Sequence, residues 1–415
     1  MAASSSRSLA ADAPGAPPLI LAGPLPPPVC GQTLSFAMLV EEMERLGVPC
    51  RVVNLALGSG EQVGAVTPRR LGGYAAALGR FLRVAAGRRT TVYLTISQSL
   101  PGFLRDCAMV HYARLFGHRV VLHLKGGNYD RFHAAQPRPL RALVRATLRR
   151  ADRILVLGER LRPVFGFEPA VAGRVAVVPN GYPEAGEPHA APKSLPAGEP
   201  VRLLYLSNLI ASKGYLDVLA AVRLLRERLG ADAVRYDFHG AFMASADDSR
   251  VRSAAHGRAL FESFVAEHGL EDAVRWHGVS TGAAKRAALE GAHVFVLPTA
   301  YENEGQPVSI IEAMAHGCVV VSTDFRAIPE LVDDGVTGVL VPYGSPEAIA
   351  AAVEGLVRDP GRYEAMSRAA LERFQARFTR ARHLERLVAE LKRPSHAEGP
   401  EEPEAVSSGS SGPSV

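Results

Sequence analysis

Short apolar runs and longer amphipathic segments alternate along nearly the whole chain, and the alternation starts twice. In the first half the apolar runs are PLILAG (18–23), RVVNLAL (51–57), TVYLTIS (91–97), RVVLHLK (119–125), RILVLG (153–158) and RVAVVPN (174–180). In the second half they are VRLLYLSN (201–208), VRYDFHG (234–240), VRWHG (274–278), HVFVLPT (293–299), CVVVST (318–323) and GVLVP (338–342). Runs of this kind fit strands buried on both faces, and strands separated by helical segments assemble into parallel sheets covered by helices. The pattern predicts an α/β protein with two doubly wound halves. A chain of 415 residues also exceeds what one hydrophobic core normally organises.

The expected boundaries are a disordered stretch over 1–17, a first domain over 18–185, a linker over 186–200 and a second domain over 201–360. Helices follow over 361–393, with the option of packing back on the first domain, and then a disordered tail over 394–415. The linker is dense in Pro, Gly and Ala, and the tail in Ser, Gly, Pro and Glu, compositions that do not build a core. In such sheets ligands bind where the carboxyl ends of the strands meet the cleft, so function is sought in the loops after strands.

Several classes are disfavoured. The four cysteines, Cys30, Cys50, Cys107 and Cys318, are scattered without a C-x-x-C pair or a histidine at metal spacing, which points away from a zinc site or disulfide framework and toward a reducing cytoplasm. The first residues make a poor signal peptide, and no run reaches the roughly 18 uncharged apolar residues of a spanning helix. GSGEQVG (58–64) has the wrong spacing for a dinucleotide fingerprint and reads as a surface turn; neither a P-loop nor a G-x-S-x-G elbow occurs. Charge is uneven, with 23 Lys/Arg against 12 Asp/Glu in residues 1–190. Arg138, Arg141, Arg145 and Arg149 recur at helical spacing, either as a solvated face or as a peripheral contact with anionic lipid. Without interleaved aromatics, and with an acidic second half, nucleic acid is not an expected partner.

One stretch carries chemistry. HVFVLPT ends a strand, YENEGQP turns at its carboxyl end, and VSIIEAMAHG is a short helix closed by Gly317. The free N–H groups of that helix form a seat for phosphate oxygens. Glu304, in the loop, suits sugar hydroxyls, and Glu312, about a turn into the helix, suits a ribose diol, because a carboxylate accepts two hydroxyls at once. Ser309-x-x-Glu312 is also an acceptable capping box, which would reduce Glu312 to finishing the helix.

The run Glu304-Gly-Gln-Pro-Val-Ser-Ile-Ile-Glu312-Ala-Met-Ala-His-Gly, followed by CVVVST and IPELVDDGVTGVLV, resembles the E-x7-E signature of glycosyltransferase family 4 over about Val201 to Arg393. The resemblance implies the GT-B fold, two doubly wound Rossmann-like domains facing a central cleft, and retaining transfer of a sugar from a nucleotide-diphosphate donor. By it Glu304 would hold the donor sugar and Glu312 the ribose, with Gly305, Gln306, Pro307 and Val308 forming the donor loop.

The same resemblance places Asn208 and Lys213 of SNLIASKGYLDVL on the donor diphosphate, although the family usually has an arginine where Asn208 stands. Asparagine donates a hydrogen bond but brings no charge, so more falls to Lys213. Gly31, in PLPPPVCGQTLSF, matches one glycine of a two-glycine loop that lets main chain approach the diphosphate from the first domain. In VVLHLKGGNYD the place before the glycines, usually histidine, is Lys125, with His123 two residues earlier on the same strand face; either is a candidate to reach the cleft. Asn180 matches the family's P-N-G, and Gly240 a glycine that lets the donor pack close.

The expected reaction is transfer to a hydroxyl acceptor, a glycan or a lipid-linked one, in polysaccharide or glycolipid biosynthesis. Glu304, Lys213, Lys125 and His123 are the catalytic candidates. No cofactor is implied, and without a D-x-D no required metal. The expected location is cytoplasmic, with peripheral contact at the inner membrane face through the basic first half as an option. The alternatives are a nucleotide-sugar epimerase and a catalytically silent nucleotide-sugar-binding protein of the same fold.

Overall fold

The computed structural model describes residues 18–56, 68–186, 188, 190–245 and 247–393. The readings made above for 1–17, 58–64 and 394–415 lie outside them. All twelve apolar runs are strands. The first six are β1 (Leu19–Gly23), β2 (Cys50–Asn54), β3 (Thr91–Ile96), β4 (Arg119–Leu124), β5 (Arg153–Val156) and β6 (Val175–Val177). The second six are β7 (Val201–Leu206), β8 (Val234–His239), β9 (Val274–Trp276), β10 (Val294–Leu297), β11 (Val319–Thr323) and β12 (Gly338–Val341). They form two six-stranded sheets in the orders β2-β1-β3-β4-β5-β6 and β12-β11-β10-β7-β8-β9, and every neighbouring pair is parallel. The fold is GT-B, two Rossmann-like domains facing a cleft.

The unbroken apolar character of the strands follows from having two faces to cover. Alternate residues of the first sheet divide between two cores: Ile20, Val92 and Val120 pack on one side, and Leu21, Tyr93 and Val121 on the other. The second side is closed by the helix Gly31–Arg45, through Phe36, Leu39 and Met43, and by the last helix of the described chain, Arg380–Lys392, through Leu387 and Leu391. Those two leucines are 0% and 5% exposed, a burial worth about 1.5–3 kcal/mol each. The end of that helix is tied down as well. Arg119 donates to the carbonyls of Leu391 (2.8 Å) and Glu390 (2.9 Å), which have no partner within the helix, and Arg153 pairs with the Glu390 carboxylate at 2.8 Å.

The preceding helix, Pro360–Arg377, belongs instead to the second core, through Tyr363, Met366, Ala370 and Phe374. The chain therefore passes between domains twice, near Pro179–Gly181 and near Phe378–Thr379, and the Tyr182 N–H donates to the Phe378 carbonyl at 2.9 Å where the crossings meet. Tyr182 is already buried in the second core. The first crossing thus falls ahead of the Pro/Gly-rich stretch, because a buried aromatic, and not the flexible composition after it, marks where the second domain begins.

Strand order reverses beside β1 in the first sheet, between β1 and β3, and beside β7 in the second, between β7 and β10. A reversal sends the flanking loops in opposite directions and opens a crevice at the carboxyl ends of the strands. The loops after β7 and β10 carry Asn208, Lys213 and Glu304.

Candidate active site

A cleft of about 1110 Å³ lies between the domains, lined from below by the loops after β1, β3 and β4 and from above by those after β7, β8, β9 and β10. Two helix N-termini converge on it. A Cβ added to Gly31, the first residue of the helix Gly31–Arg45, would stand 3.0 Å from Cγ2 of Val308, the first residue of the helix Val308–Ala315. Their unsatisfied N–H groups and dipoles favour an anion between the domains.

Glu304 lies in the loop that ends β10's excursion, with its N–H on the Tyr301 carbonyl at 2.8 Å. Its Oε2 is 3.1 Å from Lys213 Nζ, which also donates to Ser207 Oγ at 3.0 Å and sits 5.2 Å from the centroid of the Tyr301 ring. Lys213 is aimed by the turn Ala211–Lys213, closed by Gly214 at φ +80°, where a Cβ would meet the Pro298 carbonyl at 2.5 Å. The pair therefore spans the crevice between β7 and β10.

The capping box does not form. Pro307 occupies the N-cap, so Ser309 is already inside the helix, and Glu312 turns away from the helix start to accept from Lys285 Nζ at 2.6 Å. Lys285 also meets Glu184 at 2.7 Å. Burial raises the Glu312 carboxyl above its usual range against the opposing pull of Lys285. Burial lowers Lys285, but its two carboxylates more than offset that and leave it above its usual value.

Close approach of main chain joins the domains at Gly305. A Cβ there would stand 2.5 Å from the Lys125 carbonyl, and one on Gly127 would stand 2.2 Å from the Glu304 carbonyl. Gln306 fixes the register: its Oε1 accepts from the Asn180 N–H at 2.7 Å and its carbonyl from Asn180 Nδ2 at 3.0 Å. Asn180 Oδ1 in turn accepts from Lys125 Nζ at 3.3 Å, and Lys125 donates to Ser35 Oγ at 2.7 Å. Burial pushes the Lys125 amine down to about 7. Asn208 stands exposed on the upper wall. Gly240, at φ +148°, lets the β8 loop touch the β7 loop: a Cβ would fall 1.9 Å from the Ser207 carbonyl.

Of the sequence candidates, Lys213, Glu304, Glu312, Lys125, Asn208, Gly31, Gly240 and the 305–308 loop all line the cleft. His123 does not. Its strand is buried on both faces, and its ring points into the core beneath the last helix, with Nδ1 2.8 Å from Tyr93 Oη and burial driving its titration well below the usual range. The strand ends at Leu124, which frees Lys125 to reach the cleft while His123 stays in the sheet. Sequence reasoning missed Lys285 and Glu184. Glu184 falls at the end of the first domain as bounded above, and Lys285 on the short helix Gly282–Gly291 of the second; neither has a spacing signal to connect it with Glu312. Among the described residues no three His, Cys, Asp or Glu side chains are placed to hold a metal ion.

Residues 200–359 match the family model described as Glycosyl transferases group 1, so the second domain is a glycosyltransferase group 1 domain. The amylovoran biosynthesis glycosyltransferase AmsK of Erwinia amylovora is 31% identical over 157 residues, 37% of this chain and 35% of that protein. The alpha-maltose-1-phosphate synthase of Mycobacterium tuberculosis is 40% identical over 100 residues, 23% of this chain and 25% of its own. The aligned region thus spans about a third or less of these relatives, at 35% and 25% of their lengths. Among solved structures, sucrose-phosphate synthase from Thermosynechococcus elongatus superposes with a TM-score of 0.66 at 19% identity, over 89% of this chain and 97% of its own. Anabaena HepE in complex with UDP-glucose does so with a TM-score of 0.64 at 16% identity, over 90% and 99%. At such identities the likeness establishes the fold.

Proposed function

We propose that this protein is a retaining glycosyltransferase that moves a sugar from a nucleotide-diphosphate donor to a hydroxyl acceptor, in polysaccharide or glycolipid biosynthesis. The observation that carries the reading is the paired arrangement of Lys213–Glu304 and Glu312 about the crevice between β7 and β10, with a helix N-terminus between the two acids. The group 1 domain match and the UDP and UDP-glucose complexes of the HepE neighbour support it. Neither an epimerase nor a silent binding protein is favoured by the named glycosyltransferase relatives.

As the glycosidic C–O bond breaks, negative charge grows on the departing diphosphate. Lys213 and the two converging helix N-termini are preorganised donors for that charge, so they stabilise the transition state more than the ground state. Asn208 adds a neutral donor to the same wall. Glu304, held by Lys213, orients the sugar hydroxyls, and Glu312 holds the ribose. The acceptor's proton goes to the leaving phosphate in a front-face attack, which requires no protein nucleophile. The acceptor enters from the first domain. Arg138, Arg145 and Arg149 are exposed along the helix Arg138–Arg149 while Val144 and Leu148 are buried, a face suited to anionic headgroups beside a lipid-linked acceptor at the cytoplasmic side of a membrane. No helix of the described residues is long and apolar enough to cross one.

A donor panel screened by thermal shift, followed by release of nucleoside diphosphate in the presence of membrane extract, tests the reading. Glu304→Gln is expected to lower transfer by about a thousandfold with little loss of fold, and Glu312→Gln to act mainly on donor affinity. Unchanged rates in both variants would overturn it.

A further inference from the structure

We infer that Lys285 is a positioning residue for the donor's ribose, holding Glu312 as a carboxylate turned toward the cleft; the inference rests on the reading of Glu312 given above. Glu312 is 5% exposed, and a carboxylate removed from water to that degree stays ionised only beside a cation or several donors. Lys285 is the side chain that contacts it, at 2.6 Å. The lysine's own side chain is 12% exposed and lines the cleft, so it comes from the wall of the pocket and not from the outer surface.

The ammonium is held between two acids. Glu184, just past the first interdomain crossing, takes Lys285 at 2.7 Å and Arg286 at 3.4 Å, so swinging out would cost Lys285 a second ion pair besides the one with Glu312. That fixes one flexible side chain at two points. The contact with Glu312 falls on Oε1 and uses one acceptor site, which leaves the rest of the carboxylate for a vicinal diol. An ammonium has three N–H groups, and the two acids account for two. A neutral residue in its place would leave Glu312 to protonate, and a carboxylic acid no longer accepts from two hydroxyls.

The test is a ratio measured within each protein: the Kd of 2′-deoxy-UDP over that of UDP by titration calorimetry on the full chain, with the dGDP/GDP pair as a second arm. The wild type is expected to prefer the ribonucleotide by about ten- to a hundredfold. Lys285→Met and Glu312→Gln are both expected to bring the ratio near one, and Lys285→Arg to restore most of the preference. A lysine that only supported the fold would weaken both nucleotides alike and leave the ratio alone. Should Lys285→Met be too unstable to titrate, Lys285→Gln, which keeps a donor but not the charge, is expected to show the same fall. Retention of the wild-type ratio in the neutral variants overturns the inference while the transferase reading stands. A wild type that binds UDP and GDP without ribose preference does so too; one that binds no nucleoside diphosphate of the donor panel sinks the transferase reading as well.

Discussion

The two walls of the cleft are built on similar sheets and carry different chemistry. In the second domain, strand order reverses after three strands, and the crevice holds Lys213, Glu304, Lys285 and Glu312, all paired with one another or with Glu184. In the first domain it reverses after two, and the wall presents mainly hydroxyls and amides, among them Thr33, Ser97, Gln98, Ser99 and Asn180, with Lys125 and Arg105 as its basic side chains. Arg105 is itself committed to Asp106 at 2.7 Å. A parallel sheet with a strand-order reversal supplies the crevice in either domain, but the ionic half is the one that the proposed function assigns to a charged leaving group. The neutral half suits an uncharged hydroxyl nucleophile and closes on its partner through glycines and amides.

The comparison breaks most severely at Lys213. Lys213→Met removes the cation proposed to face the diphosphate and strands the Glu304 carboxylate, so kcat/KM for the donor is expected to fall by at least about a hundredfold, read as initial rates against donor concentration. A variant within a few-fold of wild type would mean that the ionic wall is not where leaving-group charge is met. An effect of comparable size, but on stability, is expected from Gly240→Ala. The added Cβ would collide with the Ser207 carbonyl at 1.9 Å in a backbone region that L residues avoid, and the cost is about 2–4 kcal/mol by denaturant melts.

The gentlest test concerns the neutral wall. Lys125 titrates near 7 in the folded protein because burial disfavours its charge, whereas in the unfolded chain it titrates near about 10.4. Between those values the unfolded state binds more protons, so Lys125 adds stability as pH rises from about 7 to about 10. Relative to Lys125→Met, the wild type is expected to gain stability over that window in urea melts, by an amount on the order of 1 kcal/mol or more. A difference that stays flat with pH would mean that Lys125 keeps its charge and that this wall is not nearly neutral.

The fold was legible because parallel strands covered on both faces must be apolar at successive positions, and nothing else in the chain repeats that signature between helical segments. Glu304, Lys213 and Gly240 were legible for a related reason, since each closely follows a strand and the carboxyl ends of strands meet the cleft. His123 shows the limit. It lies two residues from Lys125 and on the same face, and only the position of the strand's last residue separates a core ring from a cleft amine. Ser309-x-x-Glu312 shows it again, because the capping box depends on where the helix starts, and Pro307 takes the N-cap one residue before Val308.

Local pattern by itself determined the twelve strands, the two sheets they form and the motif about Glu304 and Glu312, because hydrophobic periodicity and turn chemistry act over a few residues. Tertiary structure alone decided that the last helix would seal the first domain, that Asn180 and Gln306 would lock the two halves together, and that Lys285 would reach Glu312 with Glu184 behind it. Those partners are 126 residues apart in the first pair and 27 in the second. Contacts of that span arise from how two sheets and a crossing connector pack in space, and no short-range pattern of side chains encodes them.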